Sequence, residues 1–193
     1  MKSSKVIPVS PCSKNDLDDI ATRILYNYQK EVLINIEPVN IEDLFEIDIP
    51  EITGVLTGYD SLNPGILGVT NAATMTSYVD VELAEATDSV NKRRYRATVA
   101  HESAHCIKHV KQLKEFASIL GKDEMSHYRT EKSNIPSYKD PEWQAWYLGG
   151  ALLMPKANIT KAYEKYGELE LPNIFDVNIS FVRIRLDKLG LTK

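Results

Sequence analysis

The stretch HESAHCIKH, residues 101–109, holds three of the four histidines in a chain of 193 residues, each four after the last. On an α-helix, residues four apart lie about 6 Å along the axis and about 40° around it. His101 and His105 therefore project from one face and can bring two imidazole nitrogens to a single metal ion. Glu102 sits one residue round the helix. From there it can reach a metal-activated water without ligating the metal, as a general base should. The chemistry this pattern allows is metal-assisted hydrolysis. The alternative is a surface helix that happens to carry two histidines and a glutamate.

The other groups nearby read differently. His109 lies about 12 Å along the axis from His101 on a straight helix, too far for one ion to join both. The spacing H-E-x-x-H-x-x-G-x-x-H is absent, because Lys108 and Lys111 stand at its Gly and final His positions. His109 is then a helix-face or supporting histidine. Cys106 points about 100° away from His105 and reads as a core thiol. Cys12 could block the metal only from a loose N-terminus.

A catalytic zinc takes three protein ligands and keeps one position open. Glu115, Glu124, Glu131, Glu142 and His127 are the downstream candidates for the third. Glu142 starts an apolar stripe with Ala145, Trp146, Gly149 and Leu153, spaced for one helix face. Small residues there permit close approach to Ala97, Ala100 and Ala104 around the histidines. A glutamate in a first helical turn is equally what the helix dipole favours without any metal.

These residues need elements to hold them. Apolar spacing from Leu17 to Val32 predicts a first helix, capped by Asn15 or Asp16. A short second helix starts after Asn40 and ends before Pro50. Three strands follow between Ile52 and Leu83, with a turn at Leu62-Asn63-Pro64-Gly65. Residues 92–116 read as the helix carrying the histidines, and 121–140 as irregular. Pro141 opens a helix reaching Pro155. Helices over 157–166 and 178–189 close the chain, the last ending at Gly190. Helices, then strands, then helices give an α+β fold. The expectation is one domain over 1–193, with 1–14 loose. In the last helix Ile179, Val182, Leu186 and Leu189 form the core stripe, and Arg183 and Arg185 are solvated. Lys92-Arg93-Arg94 with Arg96 reads as a solvated face.

The net charge of −4 argues against a general nucleic-acid binder. Two cysteines make no disulfide framework. Neither a signal peptide nor a membrane span is legible, so the chain reads as cytoplasmic.

HESAH together with EWQAWYLGGALLMP and the ending VNISFVRIRLDKLGL resembles the ImmA/IrrE family of metallopeptidases over residues 91–191. The resemblance implies a gluzincin-like zinc peptidase on a zincin-like fold, with a small β-sheet packed on the helical core that carries H-E-x-x-H. The implied zinc ligands are His101, His105 and Glu142, and the implied general base is Glu102. It also implies cleavage of a helix-turn-helix repressor in phage, mobile-element or stress regulation. Ser103-Ala104 stands where Leu-Gly is frequent, Trp146 for Asn, and Tyr147-Leu148 for Phe-Ala. The spacer between the motifs is long. These departures bear on the substrate cleft, not the ligands. His127, Tyr128, Tyr138 and Tyr147 are the candidate oxyanion donors. Two other readings are a metal-bound module that sequesters a repressor without cutting it, and a purely structural zinc. Oligomeric state is not legible.

Overall fold

The computed structural model describes residues 5–120 and 130–192. Glu124, His127 and Tyr128 fall outside them. The protein is mostly helical, with a small three-stranded mixed sheet.

Helix α1 spans Lys14–Tyr28. Its cap is Ser13, which accepts from the Asp16 backbone while Asp16 answers the Ser13 N–H. This capping box puts the cap two or three residues before the expected ones, Asn15 and Asp16. The chain breaks at Gln29 and resumes as α2, Lys30–Asn35. Next come α3, Ile41–Asp43, a π-helical turn Leu44–Asp48, and α4, Ile49–Thr53. The helix thus runs through Pro50 rather than stopping before it. The π-turn explains why: the Ile49 N–H bonds back to the Leu44 carbonyl, and Pro50, in the first turn of α4, needs no donor. The Phe45 carbonyl accepts instead from Thr57 Oγ1 at 2.6 Å.

Strands β2, Leu56–Asp60, β3, Gly68–Asn71, and β4, Thr76–Asp80, form a sheet in the order β2-β4-β3. β2 and β4 run parallel, β3 and β4 antiparallel, with Thr70 opposite Ser77. The turn before β3 closes with Ile66 N–H on the Asn63 carbonyl, and Gly65 supplies the positive φ of 88°. A short α5, Val81–Ala84, leads into α6, Ser89–His105, capped by Asp88. A π-turn, Cys106–Val110, joins α6 to α7, Lys111–Leu120. Beyond the turns over 132–139 come α8, Pro141–Leu153, α9, Lys156–Tyr166, α10, Leu171–Phe175, and α11, Ile179–Leu189. α10 has no counterpart in the sequence reading.

One buried cluster joins Leu17 and Leu25 of α1, Phe45, Val79 of β4, Ala100 and Ala104 of α6, Leu148 and Leu152 of α8, Phe175 and Leu186. The Ala100 side of α6 lies directly on α8. A Cβ added to Gly149 would stand 3.0 Å from the Ala100 carbonyl carbon and oxygen. The small-residue stripe therefore does what its composition suggests, and it sets the distance between the two helices that carry the candidate site.

Residues from Lys5 onward are not loose. β1, Lys5–Val6, pairs antiparallel with β5, Thr130–Glu131. The Val9 and Cys12 N–H groups donate to the carbonyls of Lys139 and Tyr138, each at 3.0 Å. Ser10 and Gln112 exchange two hydrogen bonds. An extended segment with unpaired backbone groups finds its partners in a second irregular segment, a pairing that no local pattern announces.

The arginines also depart from expectation. Arg185 is buried, donating to Asp18 Oδ1 at 2.6 Å and to the Met154 carbonyl at 3.1 Å, with its guanidinium over the Tyr147 ring. Arg96 is buried too, bonding the carbonyls of Asp176 and Val39. Arg93 holds Asp176 and Asn173. Arg185 and Arg96 thus meet the C-cap carbonyls of α8 and α10, which have no helical donor, and Arg96 ties that of α10 to the segment before α3. Replacing Asp18 by Ala strands the Arg185 charge in the core. Urea unfolding is expected to show a loss of about 3–5 kcal/mol. Asp19→Ala, at an exposed neighbour, should cost well under 1 kcal/mol by the same measurement.

Candidate metal centre

α6 and α8 place the site. Asp140 caps α8 by accepting from the Glu142 N–H at 3.0 Å, and Pro141 occupies the first turn. This fixes Glu142 at the mouth of the helix, facing His101 and His105 across the Gly149–Ala100 contact. His101 Nε2 and His105 Nε2 approach to 3.1 Å. Each lies 3.4 Å from a different Glu142 oxygen. Two donors at the usual zinc distances on tetrahedral axes stand about 3.3–3.4 Å apart. The two histidine–carboxylate spacings match that figure, and the histidine pair is about 0.2 Å tighter. Contact with His101 first, then His105, holds the Glu142 carboxyl well below the usual range, against the opposing effect of burial. The group is therefore an anion at neutral pH. The set of two imidazoles and a carboxylate fits a borderline divalent ion. The cluster also opens on one side: the Glu142 side chain is 41% exposed, against 11% and 14% for the histidines.

Glu102 is buried beneath the sheet. Its Oε2 accepts from Thr70 Oγ1 at 2.5 Å, and Thr70 Oγ1 in turn meets Ser77 Oγ at 2.8 Å. β3 crosses so closely that a Cβ on Gly68 would lie 2.6 Å from Glu102 Oε1. Gly68 and Thr70 were not legible as site residues. Their signal lies in alternation: positions 68 and 70 share a face of β3, but the sequence does not say what that face meets.

His109 is buried, with Nδ1 3.0 Å from His105 Nδ1 and Nε2 3.2 Å from Gln144 Oε1. Burial above all, with His105 beside it, holds its imidazole down to about 3. It is a supporting group, as its distance from His101 requires. Trp146 lays its ring on His101, centroids 4.2 Å apart. Among the remaining candidates, Glu115 and Glu131 are not in the cluster. Tyr147 is turned into the core, donating to Asp18 Oδ2 at 3.0 Å, so it is no oxyanion donor. Cys106 is buried and its thiol is pushed up to about 11 by burial. Cys12 is buried beside α1, where burial raises its thiol, and it has no route to the metal as a loose blocking ligand.

An H-E-x-x-H helix, a carboxylate as third candidate ligand from a second helix and a strand lying against the glutamate define the class: a metallopeptidase domain with an HExxH-type candidate metal site. The chain belongs to the peptidase M78 family, whose sequence model, described as the IrrE N-terminal-like domain, matches residues 87–187. No curated protein matches the chain. Among solved structures it is similar to a Mycobacterium tuberculosis transcriptional regulator, with a TM-score of 0.56 and 16% identity. That match covers 90% of this chain and 46% of the other, so this chain spans about half the length of that regulator. At such identity the likeness is one of fold. No helix among the described residues is long and apolar enough to cross a membrane.

Proposed function

We propose that the chain is a zinc-dependent endopeptidase of zincin-like design that cleaves a helix-turn-helix transcriptional repressor in the cytoplasm. The observation that carries the chemistry is the convergence of His101 Nε2, His105 Nε2 and the Glu142 carboxylate beside Glu102. A zinc ion held by these three would polarise the scissile carbonyl and bring the pKa of a water toward about 7. Glu102 takes the proton from the attacking water and passes it to the leaving amine. Thr70 engages Oε2, which leaves Oε1 to carry the proton. β3 pairs with β4 on one edge only among the described residues. Its other edge can receive the substrate as an added strand.

A cavity of about 440 Å³ adjoins the site between α6, α8 and α11, walled by Trp146, Phe181 and Ile184. Trp146 is common to this cavity and to the His101 contact. The cavity suits a large apolar side chain of the substrate. Arg94 and Lys188 on its wall favour acidic neighbours. The regulatory setting draws on the family resemblance, and the fold likeness to a transcriptional regulator agrees with it.

The test is incubation of the full chain, with one equivalent of zinc, with helix-turn-helix repressors encoded beside it. Products are read by intact mass spectrometry and repressor–DNA binding by gel shift. A single cut that requires zinc is expected. Loss of DNA binding with intact repressor would instead establish a sequestering module. Neither cleavage nor DNA release would remove the repressor reading.

A further inference from the structure

Gln144 is fully buried and its amide is wedged between three polar partners. Its Nε2 faces two carbonyl oxygens, Ser10 at 2.9 Å and Tyr138 at 2.8 Å. Carbonyls only accept. The amide must therefore present its NH2 to them, which turns Oε1 toward His109 Nε2 at 3.2 Å. A carbonyl oxygen again only accepts, so His109 Nε2 carries a hydrogen. His109 is 1% exposed, and among the described residues its ring nitrogens meet Gln144 on one side and His105 on the other. With its one hydrogen on Nε2, its Nδ1 holds a lone pair, the acceptor that a His105 ligating through Nε2 requires. That lone pair meets His105 Nδ1 at 3.0 Å. Two lone pairs repel at such a distance, so His105 Nδ1 bears the hydrogen. A neutral His105 with Nδ1–H has a bare Nε2, aimed at the point where His101 and Glu142 converge.

We infer that Gln144 and His109 are positioning residues which fix the tautomer and ring angle of His105, using the backbone of residues 10 and 138 as the anchor. This rests on the reading of His101, His105 and Glu142 as the metal ligands. The relay serves one histidine only. His101 Nδ1 is buried with no hydrogen-bond partner among the described residues, and its ring is held by Trp146 packing instead. The two candidate ligands are thus set by different means: one by a chain of hydrogen bonds, the other by an aromatic face. The irregular N-terminal segment becomes part of the metal site through Ser10.

The experiment is nitrogen-15 histidine NMR of the full chain stripped of metal, paired with zinc affinity by chelator competition. Wild type is expected to show His105 as the Nδ1–H tautomer before any zinc is added. In His109→Leu that signature is lost and zinc binding weakens by about 10–100-fold, the range for losing a partner of a metal-ligating histidine. His109→Asn places an amide oxygen at the same bond count from the backbone as the lost Nδ1. It is expected to restore the His105 signature and most of the affinity. A purely structural role would not distinguish the two variants. A wild-type His105 in the Nε2–H form overturns the inference, as does a His109→Leu variant with unchanged tautomer and affinity. If wild type binds no zinc, the ligand reading fails, while the tautomer still decides the relay.

Discussion

Glu102→Gln is expected to lower the rate of peptide cleavage by about 10²–10⁴-fold, the contribution of a positioned general base, while zinc content stays at the wild-type level. The amide is the same size as the carboxylate and can still accept from Thr70 Oγ1, now 2.5 Å from Oε2. It cannot take a proton from water. Because Glu102 is not among the converging ligand atoms, metal binding and catalysis should separate cleanly in this variant. Gly68→Ala tests the same carboxylate from the other side. Its added methyl would sit within 2.9 Å of three Glu102 atoms, so the carboxylate has to move. Activity should fall with zinc retained. Elemental analysis beside a cleavage assay reads both variants. A Glu102→Gln enzyme that cleaves normally removes Glu102 as the base.

The ligand helix was legible because its signal is local. Four-residue spacing brings histidines together on any helix, and a segment of 25 residues without Gly or Pro is a helix on almost any reading. Gly149 was legible for a related reason: a glycine inside a helix costs about 1 kcal/mol relative to alanine, so it points to a close neighbour. The partner, Ala100, followed from the same logic. Glu142 was less legible: its first-turn position on α8 suits a helix dipole as well as a metal, and it was the family resemblance that singled it out as the third ligand.

What escaped the sequence depends on contacts between distant segments. Arg185 and Arg96 carry the label of solvated residues, yet both are buried because helix-end carbonyls and Asp18 surround them. Residues 5–12 carry no periodicity, and their order comes from contacts with residues 130–139, Gln112 and Gln144. Pro50 looked like a stop because the preceding π-turn leaves no trace in composition. Gln144 looked like one more polar residue on an apolar helix. Its meaning appears only when the carbonyls of Ser10 and Tyr138 are in place.

Removing a ligand is expected to empty the site without unfolding the chain. His101→Ala deletes one imidazole from a three-donor set, and elemental analysis should find essentially no zinc, against about one per chain in wild type. Glu142→Ala leaves the two histidines at 3.1 Å and should retain a weak remnant, because the imidazole pair is intact. Neither change touches the Gly149–Ala100 contact or the cluster around Leu148, Leu152 and Phe175. Helix content by circular dichroism should therefore match wild type in both. Wild type itself should lose stability on chelation only by the linkage amount, about 2.7 kcal/mol when zinc had been present at 100 times its dissociation constant. A structural zinc would behave otherwise, since chelation would take the fold with it. The buried core on both sides of α6 and the 41% exposed Glu142 side chain point to the first outcome: an ion bound at an opening of a domain that already stands.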